Sequence, residues 1–417
     1  MKVMLNRVMP LVLTLLFLSC SKREQASKFQ VGASSATVNP ATGLFIAGDQ
    51  PNRKFTGIHD DVFAKAVLLA DGDSAIAIVV VDCIGLLYPE VRKIQERAAS
   101  RIKNFIVLPE RIVVTSTHTH SGPDVVGIWG PEQTRTGRDS AYIESLVETA
   151  AQQVVEAARK AVPAKGKYAV AEFGMDWVSN ISEPAEIDRE MVVLQFESQA
   201  GEVIATLVNF ACHPTIFDGV HDVVSSDYVG GFYTRMRELY GGEHLFLQGA
   251  IGGWVQPDKG DRSFEYGFSR GFELAERAKQ SLANPTGMAQ SNITYRTKIF
   301  DFPVTHPGWQ QLSDMGVIQR KLSGHTTTQM AWFKVGDVEF ATHPGETPPA
   351  YSLATKALMK TKGPKIVMGL TFDAMGYILK PSFFDDPAIP HGEYLTHMST
   401  GREAGPTVMK KMDELVP

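Results

Sequence analysis

The sequence predicts an α/β protein in which helices cover mixed β-sheets, arranged as two α/β halves of one continuous region. Short apolar runs of strand length alternate with amphipathic stretches of helix length through most of the 417 residues. Trp332 to Val335, Gly336-Asp337 and Val338 to Phe340 read as a tight hairpin, so at least one strand pair is antiparallel and the sheets are mixed. Ala283 to Val304, with Pro285 and Gly287 among polar residues, is the candidate joint between the halves.

Taken in order, residues 1–20 read as an export signal. Lys2 and Arg7 precede an apolar run from Val8 to Leu18 that is too short for a comfortable membrane span. Phe17-Leu18-Ser19-Cys20 resembles a bacterial lipoprotein cleavage box, so lipidation is expected at Cys20, followed by a polar tether over 21–30 and the folded region 31–417. The expected location is therefore the cell envelope, reached through the lipid; an ordinary signal peptide with a chance cysteine is the other reading. Strands are expected at 75–82, 111–117, 203–212, 245–248, 338–342 and 365–372, and helices at 88–102, 140–161, 226–240, 262–283 and 349–361. Cys83 and Cys212 sit inside apolar runs, as small buried hydrophobes do, and form no disulfide framework. Lys+Arg 41 against Asp+Glu 46 gives a net charge of −5 with no basic stripe, which excludes nucleic acid as a partner.

Several strands run straight into side chains that can bind metal. Ile112 to Thr117 leads to His118-Thr119-His120, Val203 to Cys212 to His213, Val338 to Thr342 to Glu346 by way of His343-Pro344-Gly345, and Ile366 to Phe372 to Tyr377. The carboxyl ends of strands form the ligand-binding edge of open α/β sheets, so strands sharing an edge make these residues converge. His118 and His120, two apart on an extended segment, leave the same face. Zinc suits imidazole and carboxylate ligands, and a catalytic zinc keeps a position open for water. Each residue also has a plainer reading: a hydrogen-bonded His pair, a loop histidine at 213, a helix-start carboxylate at Glu346, a half-buried aromatic at Tyr377. Spacing alone leaves both open.

At these residues the chain resembles the neutral/alkaline non-lysosomal ceramidases, zinc amidases that cleave the N-acyl bond of ceramide. The similar stretches are Gly57-Ile58-His59-Asp60, Val80-Val81-Asp82, Thr117 to Pro123, Asn209 to Pro214, Ser226-Asp227-Tyr228, Pro344-Gly345-Glu346 and Gly376-Tyr377-Ile378, in the family's order. The resemblance implies two α/β halves, zinc held by His118, His213, Glu346 and Tyr377, and His120 and Tyr394 beside the metal as oxyanion or leaving-group partners. Where the family carries Gly-Asp-Val-Ser-Pro, this chain reads Gly252-Gly253-Trp254-Val255-Gln256-Pro257, and Asn180 lacks the family's following arginine. Gln256 is expected to assist by donating a hydrogen bond to the substrate carbonyl or by orienting water. The family's C-terminal immunoglobulin-like domain is not expected within the 417 residues. The implied function is hydrolysis of an amide in an N-acylated lipid or small molecule by zinc-bound water. The alternatives are a zinc esterase or amidase for a small or carbohydrate-linked substrate, and a catalytically silent surface binding protein that keeps structural zinc.

Overall fold

The computed structural model describes residues 29–288 and 292–417; Cys20 and the leader lie outside them. Among the described residues the larger of two main sheets has nine strands. From edge to edge it runs Glu243–Gln248, Val203–Phe210, Glu190–Ser198, Val162–Glu172, Phe29–Thr37, Phe63–Asp71, Ser74–Val81 and Ile112–Ser116, with Thr286–Gly287 beside Val162–Glu172. Its two outermost pairs are parallel and the interior pairs antiparallel. The smaller sheet, Ile293–Pro303, His325–Val335, Val338–Thr342 and Lys365–Met368, ends in a parallel pair and contains the expected hairpin. Mixed sheets in an α/β fold are therefore present as the sequence predicts.

Local chemistry accounts for these elements. Ser74–Val81 reads as an unbroken apolar run because nearly every residue in it is buried, each full burial of a Val or Ile contributing roughly 1.5–3 kcal/mol. The helix Ser140–Arg159 turns Ile143, Leu146, Val147, Ala150, Val154 and Ala157 onto the strands Phe29–Thr37 and Phe63–Asp71. Asp139 caps it by accepting a hydrogen bond from Tyr142 N. Gly32 permits this docking, since a Cβ there would lie 2.0 Å from Ala157 O.

Beyond strands that the sequence did not reveal, three details differ from the sequence reading. Phe29 and Gln30, placed in the tether, open the first strand. The joint between the halves is shorter than Ala283 to Val304, because Thr286–Gly287 pairs with the larger sheet and Ile293–Pro303 already belongs to the smaller one. The third is the course of 365–372. Pairing within the smaller sheet stops at Met368, and the continuation lies between the two edges of the larger sheet. Gly369 N donates to Gln248 O (3.0 Å), Ser116 N to Leu370 O (3.3 Å) and Phe372 N to Val114 O (2.8 Å). This bridge brings the ends of all four candidate strands to one place.

Candidate metal and active site

His118 follows Ile112–Ser116, but the chain is not extended there: its φ is 72°, a left-handed conformation rare for a residue with a Cβ. The two-residue pleat therefore does not bring His118 and His120 together. The kink does, setting their rings 4.9 Å apart and nearly perpendicular. His118 N donates to Cys83 O (2.9 Å), and its ring Nδ1 faces Ile84 O at 2.5 Å. His213 is held in the same manner, Nδ1 facing Val255 O at 2.8 Å. His120 turns Nδ1 to the Asp218 carboxylate at 3.2 Å. An acceptor at Nδ1 favours the tautomer that carries its proton there, which leaves Nε2 of the same ring open to an ion.

Those three nitrogens and one carboxylate converge. His118 Nε2 and His120 Nε2 are 3.3 Å apart, His213 Nε2 is 3.1 Å from one Glu346 oxygen, and His118 Nε2 is 3.6 Å from the other. The donor atoms of the three histidines lie within 4.8 Å of one another. Lone pairs facing each other without a proton between them repel, and a cation among them removes the repulsion. Tetrahedral zinc with ligands at ~2.0 Å separates its ligands by roughly 3.3 Å, close to the 3.1 and 3.6 Å that separate His213 and His118 from the Glu346 oxygens. The donor set thus fits a zinc-type ion.

The electrostatics agree with that arrangement. Burial, reinforced by His120 and His213, pushes His118 down to about 3, so it stays neutral and able to ligate. Burial opposes the charge on Glu346, yet the three imidazoles overcome it and hold its carboxyl below the ordinary glutamate value. Burial also opposes the charge on Asp218, and His120, with Lys259 and Arg53 behind it, brings the carboxyl down to about 2.

His118, His120, Glu346, Tyr377 and Tyr394 line one cleft of about 540 Å³, solvent at its mouth included. Its remaining wall is mostly apolar, with Ile84, Val126, Ile128, Trp129, Leu370 and Ala374 among its members. Tyr377 is buried, and Trp254 Nε1 donates to its hydroxyl at 2.7 Å. Burial, then Glu346, push its phenol far above the ordinary value. Tyr394 is 48% exposed, and burial of its hydroxyl end, with Glu346, Asp218 and Asp49, raises it to about 12.

The fold thus brings His118, His120, His213, Glu346, Tyr377 and Tyr394 together, while Gln256 is not among the residues lining the cleft. On the short strand Val255–Pro257 the side chain of Gln256 alternates with the buried Val255 and Pro257, and the residue of that loop that reaches the site is Trp254. Asn180 is used in its own turn, accepting from Glu183 N and donating to Glu186 O. Sequence reasoning missed Asp218, whose Phe217-Asp218-Gly219 setting reads as an ordinary turn, and Trp254, whose contact with Tyr377 spans 123 residues.

Comparison with known proteins places this geometry. Neutral ceramidase A of Dictyostelium discoideum is 22% identical over 267 residues, covering 58% of this chain and 37% of that protein. Neutral ceramidase B of the same organism is 24% identical over 226 residues, covering 49% and 31%. The chain thus aligns with about a third of the length of these relatives. The crystal structure of neutral ceramidase from Pseudomonas aeruginosa superposes with a TM-score of 0.75 over 93% of this chain and 74% of that one, at 16% identity, a likeness of fold. The family model for neutral/alkaline non-lysosomal ceramidase, N-terminal, matches residues 29–269, more than half of the sequence, and the chain belongs to that family.

Proposed function

We propose that this protein is a zinc-dependent hydrolase that cleaves the C–N amide bond of an N-acylated, ceramide-like substrate. The observation that carries the reading is the convergence of the His118 and His213 ring nitrogens on the Glu346 carboxylate, with the His120 ring beside them, at the end of an apolar cleft. His118, His213, Glu346 and Tyr377 would hold the ion. A bound zinc supplies Lewis-acid polarisation of the acyl carbonyl and lowers the pKa of water.

The chain's own residues supply the rest. With its Nδ1 proton held by Asp218, His120 accepts a proton at Nε2 and returns it to the departing amine, without which the C–N bond does not break. Tyr394, raised to about 12, remains a hydroxyl donor at neutral pH and faces the oxyanion. The apolar wall holds the acyl chain away from water. The hydroxyls flanking the His pair, Thr117, Thr119 and Ser121, are buried and outside the cleft lining, which supports direct hydrolysis without an acyl-enzyme. Anchoring through a lipid on Cys20 belongs to the same proposal, and Cys20→Ala should then appear in the soluble exported fraction.

The test is metal analysis of the purified protein together with a screen of N-acyl amides and matched esters of graded chain length. One equivalent of zinc and chelator-sensitive amide cleavage are expected. Amide turnover that survives complete metal removal overturns the reading. Trp254, in place of the family's serine loop, favours a second reading as an esterase or amidase for smaller acyl groups; turnover confined to short esters would select it.

A further inference from the structure

The strand ends that carry His118 and His213 belong to opposite sides of the larger sheet, and among the described residues no ladder joins Ile112–Ser116 to Val203–Phe210 or Glu243–Gln248. Their separation must be fixed by something else. Gln248, the last residue of Glu243–Gln248, is fully buried, and its side chain points to both. Its Nε2 donates to Thr117 O (2.9 Å) and to Cys212 O (2.9 Å), the carbonyls of the peptide groups that lead into His118 and His213. Its Oε1 accepts from Cys212 N (3.2 Å) and Gly249 N (3.1 Å).

A carboxamide has two donor hydrogens and two acceptor lone pairs, and here all four are used. Such a group is directional: moving either peptide plane breaks a buried hydrogen bond, and although Tyr228 Oη also donates to Cys212 O (2.8 Å), the Gln248 carboxamide is the group that bonds both carbonyls at once. The backbone of Gln248 extends the same control, because its carbonyl accepts from Gly369 N at the start of the segment leading to Tyr377. A second link between the two histidine segments, His120 N to Pro214 O, is longer at 3.4 Å.

We propose that Gln248 is the positioning residue of the metal site, holding the peptide groups before His118 and His213 at the spacing that lets both Nε2 atoms reach one ion. This deepens the zinc-hydrolase reading and rests on it. Gln248 touches neither ion nor substrate and acts only through the two histidines.

The experiment compares Gln248→Met with Gln95→Met in the full chain. Gln95 is an equally buried amide, bonded to Ile112 O (3.0 Å) at the far end of the strand that leads to His118 and to Gln329 Oε1 (3.1 Å), with no hydrogen bond to the peptide groups that enter either histidine. Zinc affinity is read by chelator competition, site geometry by the visible bands of the Co2+-loaded protein, and stability by thermal unfolding of the metal-free form. Both variants should lose stability, whereas only Gln248→Met should lose zinc affinity, by ~10–100-fold as for other residues that orient ligands, with altered Co2+ bands. If Gln248→Met fails to fold, Gln248→Glu carries the test: protonated, it keeps the acceptor and one donor, and an intermediate loss is expected. Unchanged affinity and bands in the Gln248 variants, or an equal loss in Gln95→Met, overturns the role of Gln248 while leaving the zinc reading intact. A parent chain that takes up neither zinc nor Co2+ overturns both.

Discussion

His120 and Asp218 show how much a single contact decides. Without the carboxylate the imidazole is free to place its proton on Nε2, where it would block the nitrogen that faces His118. Asp218→Asn should therefore lower kcat by ~10–100-fold while zinc content stays at one equivalent, whereas His118→Ala should empty the site and abolish turnover. The same carboxyl has a signature in stability. Its folded value of about 2 lies below the ordinary 3.8, so the unfolded chain takes up the proton first as the pH falls. Its contribution is complete above about pH 4 and is lost as pH falls through 2, so Asp218→Asn should flatten the stability–pH slope in that window in urea titrations. The proposed ligands were legible as candidates in the sequence because each follows an apolar run. Asp218 was not, since 98 residues separate it from His120 and a turn aspartate carries no mark of its partner.

The loop from Gly369 to Tyr377 is fixed by a pair of charges buried beneath it. Arg320, 7% exposed, donates to both oxygens of the fully buried Asp373 at 2.7 and 2.8 Å, and Thr328 and Tyr88 N also bond that carboxylate. Removing one partner strands the other charge, so Arg320→Met should cost about 3–5 kcal/mol in urea unfolding. Because Leu370, Ala374 and Tyr377 all line the cleft, KM for the acyl substrate should rise in the fraction that folds. Ser74–Val81 and Ile112–Ser116, buried on both faces, were read within a residue or two of their ends, whereas the equally buried Phe63–Asp71, with Lys65 inside it, went unread. Val162–Glu172 and Ile293–Pro303 went unread because they keep much of their surface exposed and intersperse charged and apolar residues, which leaves no run to see.

At the scale of the molecule, the proposed ligands come from both sides of the joint: His118 and His213 precede it, Glu346 and Tyr377 follow it. An ion bound by both halves and by neither alone stabilises the whole fold by mass action, ~4 kcal/mol at a thousandfold excess over Kd. Calorimetry with and without chelator should show a single transition split or shifted down by several degrees on metal removal. His244, 2% exposed, bears on acid tolerance. Burial, then Lys65 and Arg237, push it down to about 3, so the unfolded chain binds its proton first and stability falls as pH drops below about 6.5. His244→Phe should therefore gain about 2 kcal/mol more over the parent at pH 5 than at pH 7.5. The bridge of residues 369–372 has one more consequence. It covers two strands whose free amides and carbonyls would otherwise stand side by side, and it comes from the far end of the chain. A truncation ending before Lys365 should thus self-associate instead of giving a soluble half, because exposed strands of this kind template pairing between molecules, and light scattering of that fragment would reveal it.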